Sequence, residues 1–222
     1  RILASQAYRQ DGDSRLDSET RQQSVEIDPN NLFLWKFPRR RLSAEELRDT
    51  ILLFSGQLDR TSGEGHAFPP EHEWKFGQHT PYIGSLKSKR RSVYLMRQRV
   101  KRHPFLATFD AADPNVATGQ RVESTTALQA LWLMNNPDFH ALATASAQRL
   151  LSTTRQLSDV VQRAHIALTS HPADEADLQA AIAYIRQCAL RDRSADPGRQ
   201  QERAVASYVR VLMSSNVVLY VE

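Results

Sequence analysis

The spacing of apolar residues divides the chain near residue 123. Beyond it, apolar positions return every three or four residues in five successive stretches, the pattern of amphipathic helices. Leu128, Leu131, Trp132 and Asn135 form one stripe, Phe139, Leu142, Ser146 and Leu150 a second, and Leu157, Val160, Val161, Ala164 and Leu168 a third. Leu178, Ile182, Ile185 and Ala189 make the fourth, and Ala204, Tyr208, Val211 and Leu212 the fifth. Ser124-Thr125-Thr126 reads as an N-cap cluster, while Asn136-Pro137, His171-Pro172 and the polar run from Arg191 to Gly198 separate the helices. Asn216 reads as a C-terminal cap ahead of an apolar tail, VVLYVE. Short loops between such helices predict a bundle.

Before residue 123 one stretch is as clear. Ser43 and Glu46 have the spacing of a capping box, and Leu47, Ile51, Phe54 and Leu58 fall on one face, so a helix is expected from Ser43 to between Gly56 and Asp59. Leu32, Phe33, Trp35 and Phe37 are expected to dock on the core. Arg1–Gln10 reads as a helical tail entered midway, as in a piece of a longer polypeptide, and Asp11–Asn31, with DGDS and DPNN, as a loop or linker. Thr61–Gly84 is irregular, with Gly and Pro punctuation. Trp74–His79 and Ser92–Met96 are expected to pair as short strands, with Val93 and Leu95 on one face and Tyr94 and Met96 on the other. The expected fold is mainly α, a helical bundle with a small β-hairpin and long irregular segments. Residues 1–31 read as an upstream tail and polar linker. Residues 32–222 read as one mostly helical domain, irregular and basic over 32–122 and a bundle over 123–222.

Composition sharpens this picture at one place. The 222 residues carry a net charge of +4, but the strip Lys87–Arg102 alone holds eight of the 29 Lys and Arg and no acid. The rest of the chain has 21 Lys and Arg against 25 Asp and Glu, so it is mildly acidic. Such localisation argues for an anion site or internal ion pairs rather than a general nucleic-acid coat, and no nucleic-acid-binding motif surrounds the strip. No apolar run approaches the roughly 18 residues of a membrane span. The single cysteine, Cys188, cannot form an internal disulfide, a cysteine-based zinc cage or the paired thiols of a c-type haem site.

The candidate chemistry lies in and just after the strip. Arg90, Arg91, Arg97, Arg99, Lys101 and Arg102 are candidate anion-binding residues, since guanidinium groups recognise sulfate, carboxylate and phosphate bidentately. The plainer reading pairs these cations with Asp49, Asp59, Asp110, Asp113 and Glu123 as internal scaffolding, and the interleaved Val93, Leu95, Tyr94 and Val100 favour it for most of the strip. His103, Asp110 and Asp113 could form an acid/base set, although an Asp-Pro turn ordinarily serves as a turn former. Glu71, His72 and Glu73 beside His66 and His79 have side chains that could bind a metal; no pair of histidines has HExxH or HxxxH spacing, scattered loop histidines ordinarily serve as surface or hydrogen-bonding residues, and no metal site is assigned. No catalytic motif is present, which leaves enzymatic activity open.

Several segments together resemble a known family. They are SQAYRQ (5–10), DPNNLFLWKFPRRRLSAEELRDTILLFSGQLD (28–59), HAFPPEHEWKFGQHTPY (66–82), RRSVYLMRQRVKRHPFLATFDAADPN (90–115), STTALQALWLMNNPDF (124–139) and SSNVVLYVE (214–222). In this order they resemble the C-terminal planctomycete-specific domain of unknown function found in large secreted, cytochrome-c-associated proteins. The family pattern near its end has Asn-Glu-Phe where this chain has Asn216-Val217-Val218. The resemblance implies an extracytoplasmic (periplasmic or secreted) setting and a multidomain parent, with haem carried by upstream domains and none in this chain. It implies no reaction. Two functions follow as expectations. One is a non-catalytic module docking on other domains of the same polypeptide. The other is binding or processing of an anionic, sulfated or carboxylated polysaccharide through the basic strip.

Overall fold

Among the described residues, six helices of this chain begin where a short polar side chain accepts a backbone N–H of the following turn. Asp17 accepts from Thr20 and opens α1 (Ser18–Ile27). Ser43 and Glu46 close a reciprocal capping box on α2 (Ala44–Phe54). His103 stands at the N-cap of the short α3 (Pro104–Thr108), with proline at its first position. Thr126 and Gln129 form a second capping box on α4 (Ala127–Asn135). Asn136 ends α4 and caps α5 (Pro137–Thr153), accepting from Asp138 and Phe139. α6 (Leu157–Thr169) lacks a side-chain cap, whereas Asp174 caps α7 (Glu175–Arg191) and Asp196 caps α8 (Pro197–Met213). A last turn, α9 (Asn216–Leu219), follows. The computed structural model describes residues 2–5, 12, 17–62, 69–77, 79–193 and 196–221.

The chain forms two compact units. The larger spans residues 42–219. In it, α5 and α7 both lie along α8, α6 packs on α7 and α5, and α2 leans on α5 and α6. Phe139, Val160, Val161, Val205, Val209 and Met213 are fully enclosed at its centre, with Leu47 and Ile51 of α2 nearly so. Arg149 of α5 donates to the Leu53 and Phe54 carbonyls, satisfying the end of α2 with a cation where the helix dipole favours one. Gly56 then takes φ +73°, which turns the chain out of the helix at little steric cost. Leu58, expected inside the helix, therefore lies beyond its end.

The smaller unit comprises the chain up to residue 41 and its end from residue 220. Its β1 (Arg40–Arg41) pairs antiparallel with β2 (Tyr220–Val221), Arg40 opposite Val221 and Arg41 opposite Tyr220. α1 occupies part of the expected linker. Its cap and its run of straight-chain polar residues suffice for a helix that buries no side chain. Asp28 accepts from the backbone N–H groups of Leu32 and Phe33, and its own carbonyl accepts from the Trp35 indole. This tight loop leaves Leu32 and Phe33 exposed rather than docked on a core. Of the expected N-terminal helix, Ile2–Ala4 is a 3-10 turn, and residues 6–10 lie outside the described residues.

The mainly helical class, with a small antiparallel β element, matches the expectation, but the strands lie elsewhere. Ser92–Tyr94 is a 3-10 turn, and the described part of Trp74–His79 contains no strand. The Ser92 N–H, which a ladder would need, is taken by the Asp49 carboxylate. Leu95 is accordingly buried while Val93 is exposed, so the two do not share a face. On α4 the buried side is Gln129 and Leu133 with Trp132 half-buried, and Leu128 and Leu131 are exposed. Gln129 sets this rotation by donating to the Thr108 carbonyl and to Asp110 (both 3.0 Å). On α8, Val211 is exposed, and the buried face widens to Val205, Val209 and Met213 because two helices flank it. Asn216 starts α9 rather than capping α8.

Candidate functional site

The basic strip is held by two neighbouring residues of α2. Arg48 lies among the apolar side chains of that helix and is 7% exposed. Its guanidinium donates to the carbonyl oxygens of Ser88 and Arg90 (2.9 Å to the latter), and to Ser92 Oγ at 3.1 Å. Asp49 accepts from the Ser92 N–H at 2.9 Å and from its hydroxyl at 2.7 Å, and lies 3.4 Å from Arg48. Burial pushes the Arg48 pKa down, and Asp49 opposes that shift. Asp59 adds a third clamp by donating its N–H to the Lys89 carbonyl. The backbone of residues 88–92 thus runs along α2 without being a strand.

The candidate anion-binding residues divide into two groups. Arg97 bonds Glu45 at 3.3 Å and the Ala112 carbonyl at 2.6 Å, and Arg121 joins the same Glu45 carboxylate at 2.6 Å. Arg102 pairs with Asp113 at 3.2 Å. Arg90 is half-buried at a backbone bridge with Asp59, and Arg91, Arg99 and Lys101 are exposed.

The candidate acid/base residues face different partners. Asp110, at φ +63°, accepts from the Ser124 N–H and hydroxyl and from Gln129. Asp113 accepts from the Asn115 N–H, and Asn115 in turn donates to the Arg99 carbonyl. His103 is largely buried, and its Nδ1 has no hydrogen-bond partner among the described residues. Burial, then the charge of Arg48, lowers its pKa to about 4; Arg97 adds to this, and a hydrogen bond with the Leu86 backbone opposes it. A cavity of about 10 Å³ lies between His103, Arg97 and Arg102, room for roughly one water molecule.

On another side of His103 a cleft of about 430 Å³ opens. α2 supplies Arg48, Ile51 and Leu52 to it, and Leu86 with Lys87 and Lys89 at the start of the strip joins them. Phe105, Trp132, Phe139 and Leu142 form the opposite wall. Trp132 meets Phe105 and Phe109 edge to face at centroid distances of 4.9 and 5.7 Å, which fixes the ring. The sequence reading missed this cleft. Its signal was Arg48, a cation four residues after Ala44 and three before Ile51, on the stripe that α2 buries.

His72 pairs with Glu73 at 3.6 Å on the surface, His79 is exposed, and His66 lies outside the described residues. Among the described residues no three His, Cys, Asp or Glu side chains group as metal ligands, and no helix is long and apolar enough to cross a membrane. A covalently attached c-type haem requires two cysteines; Cys188, half-buried on α7, is the sole one, so these residues do not fit that group.

The family described as "Protein of unknown function (DUF1553)" matches residues 1–185. No curated protein and no solved structure matches the chain.

The clamp, the Glu45 pair and His103 each make a measurable contribution. Asp49→Ala leaves the buried Arg48 charge without a carboxylate and the Ser92 N–H without its acceptor, and chemical denaturation is expected to show a loss of about 3 kcal/mol. Arg97→Ala, at a more exposed pair, is expected to cost under about 1 kcal/mol. His103 is neutral in the fold and takes up a proton more readily once unfolded. Its contribution to stability is therefore complete above its ordinary value of 6.5 and is lost as pH falls toward about 4. His165, buried and shifted in the same direction, adds to this slope. The urea midpoint is expected to fall across that window, and less steeply in His103→Gln.

Proposed function

We propose that this chain, which belongs to the planctomycete-specific family of unknown function (DUF1553) found in secreted, cytochrome-c-associated proteins, is a non-catalytic module that docks on other domains of its own polypeptide. The observation that carries this reading is the outer face of α4. Leu128, Leu131 and Met134 are 66%, 51% and 64% exposed, while the opposite face packs on the core. A helix apolar on nearly all sides normally has all of them covered, and clustered exposed apolar side chains mark interaction surfaces. The polar groups near the strip support the same reading, because Arg48, Arg97, Arg102, Asp110 and Asp113 are engaged with one another or with backbone. On this reading the setting is extracytoplasmic, and haem belongs to neighbouring domains.

A second reading, binding of a sulfated or carboxylated polysaccharide, draws on the exposure of Arg91, Arg99 and Lys101. Arg97 and Arg102 offer less to it, since carboxylates already hold them.

Hydrogen exchange tests the docking reading. Amides of residues 127–136 are expected to exchange about tenfold more slowly in the full polypeptide than in this chain alone. Leu128→Arg with Leu131→Arg is expected to abolish the difference without unfolding the isolated chain. Equal rates in both contexts would overturn the reading. Titration with dextran sulfate at low and moderate salt tests the second reading. Salt-sensitive binding that disappears in an Arg91→Ser, Arg99→Ser, Lys101→Ser variant would favour polysaccharide; the docking reading expects none.

A further inference from the structure

The cleft beside His103 is a different surface from the outer face of α4, and its chemistry is more specific. Its volume, about 430 Å³, lies in the range of small-molecule sites, which are concave, mainly apolar and edged by a few polar groups. Segments from α2, the strip, α3, α4 and α5 converge on it. Two of these walls are locked together by Arg48, whose hydrogen bonds hold the backbone at Ser88 and Arg90 against α2. A third is fixed by the stacked and edge-on rings of Phe105, Phe109 and Trp132. The cleft is therefore preformed, and a ligand entering it would have little ordering to impose.

Its charge is one-sided. Arg48, Lys87 and Lys89 border it against a single carboxylate, Asp138. Lys87 and Lys89 are exposed, so their ammonium groups can meet a ligand without breaking an internal structure. Arg48 is nearly enclosed, with one carboxylate, Asp49, 3.4 Å away, and that carboxylate also accepts two hydrogen bonds from Ser92. A cation held this way leaves a positive field in a low-dielectric wall. Facing that field are aromatic and branched aliphatic side chains, suited to a flat apolar body rather than to a hydrated ion.

The geometry points to a binding site for a planar aromatic carboxylate, its ring between Trp132 and Leu142 on one side and Leu52 on the other, and its carboxylate at Lys87 and Lys89. The ring would use the apolar burial that a bare inorganic anion lacks, and the carboxylate would use the charge that a neutral aromatic lacks.

Titration of the 222-residue chain with 2-naphthoate, followed by NMR at the Trp132 indole N–H (assigned with Trp132→Phe), tests this. Saturable binding is expected, with the uncharged 2-naphthamide about tenfold or more weaker. Lys87→Ala with Lys89→Ala is expected to reduce naphthoate to the level of the amide while leaving the melting temperature unchanged. Leu142→Trp, which fills the cleft, is expected to remove both responses; should that variant fail to fold, the paired lysine variant still decides. Equal binding of the acid and the amide, indifference to the lysine substitutions, or no saturable binding would overturn the proposal. The measurement uses the isolated chain, so failure of docking in the full polypeptide does not bear on it.

Discussion

A buried guanidinium organises the irregular half of this protein. Removing an arginine from water is expensive, and one carboxylate at 3.4 Å does not offset it alone. Here the guanidinium also donates to two backbone carbonyl oxygens of a segment with no regular structure and to the Ser92 hydroxyl. The exchange is mutual, because that segment's own polar groups would otherwise lack partners in a helix-flanked environment. Arg48 and Asp49 do together what a neighbouring strand would do, one donating and the other accepting. They hold the strip against α2, and the strip in turn carries Leu95 into the core.

This explains how a run of eight cations can sit within a folded, mainly helical domain. Its backbone is read by α2, two of its arginines are held by Glu45 and Asp113, and its alternating apolar residues are divided between core and surface by the turn at Ser92–Tyr94. Glu45 sits in the first turn of α2, where the helix dipole favours an acid, and it gathers Arg97 and Arg121 from distant parts of the chain. Charge in this region serves connectivity first. The lysines at the start of the strip are the part left facing the cleft.

α4 makes the opposite use of polar groups. One glutamine, Gln129, faces inward to complete the hydrogen bonding of Asp110, and that choice turns three large apolar residues outward. A polar anchor on the core side and an apolar surface on the solvent side reverse the usual arrangement of a peripheral helix. The inversion is locally stable because Asp110, Ser124, Gln129 and the Thr108 carbonyl satisfy one another.

What the sequence determined by itself was local. The capping box at Ser43 and Glu46, the stripes of α5, α6 and α7, and the break at Asn136-Pro137 depend on spacing within one or two helical turns, and each appears in the structure as read. The strip's unusual charge was legible as composition. Which way polar side chains point, and which backbone they serve, was set by tertiary packing alone. The bonds of Arg48 to Arg90 and of Asp49 to Ser92 span more than forty residues, and no local pattern encodes such a pairing. The same holds for the rotation of α4, set by Gln129 reaching a carboxylate nineteen residues away, and for β1, whose partner lies at the other end of the chain. Apolar periodicity reports burial averaged over a helix, and it is blind wherever one buried hydrogen bond outweighs the hydrophobic preference of its neighbours. In this protein those places are the strip, the cleft and the outer face of α4.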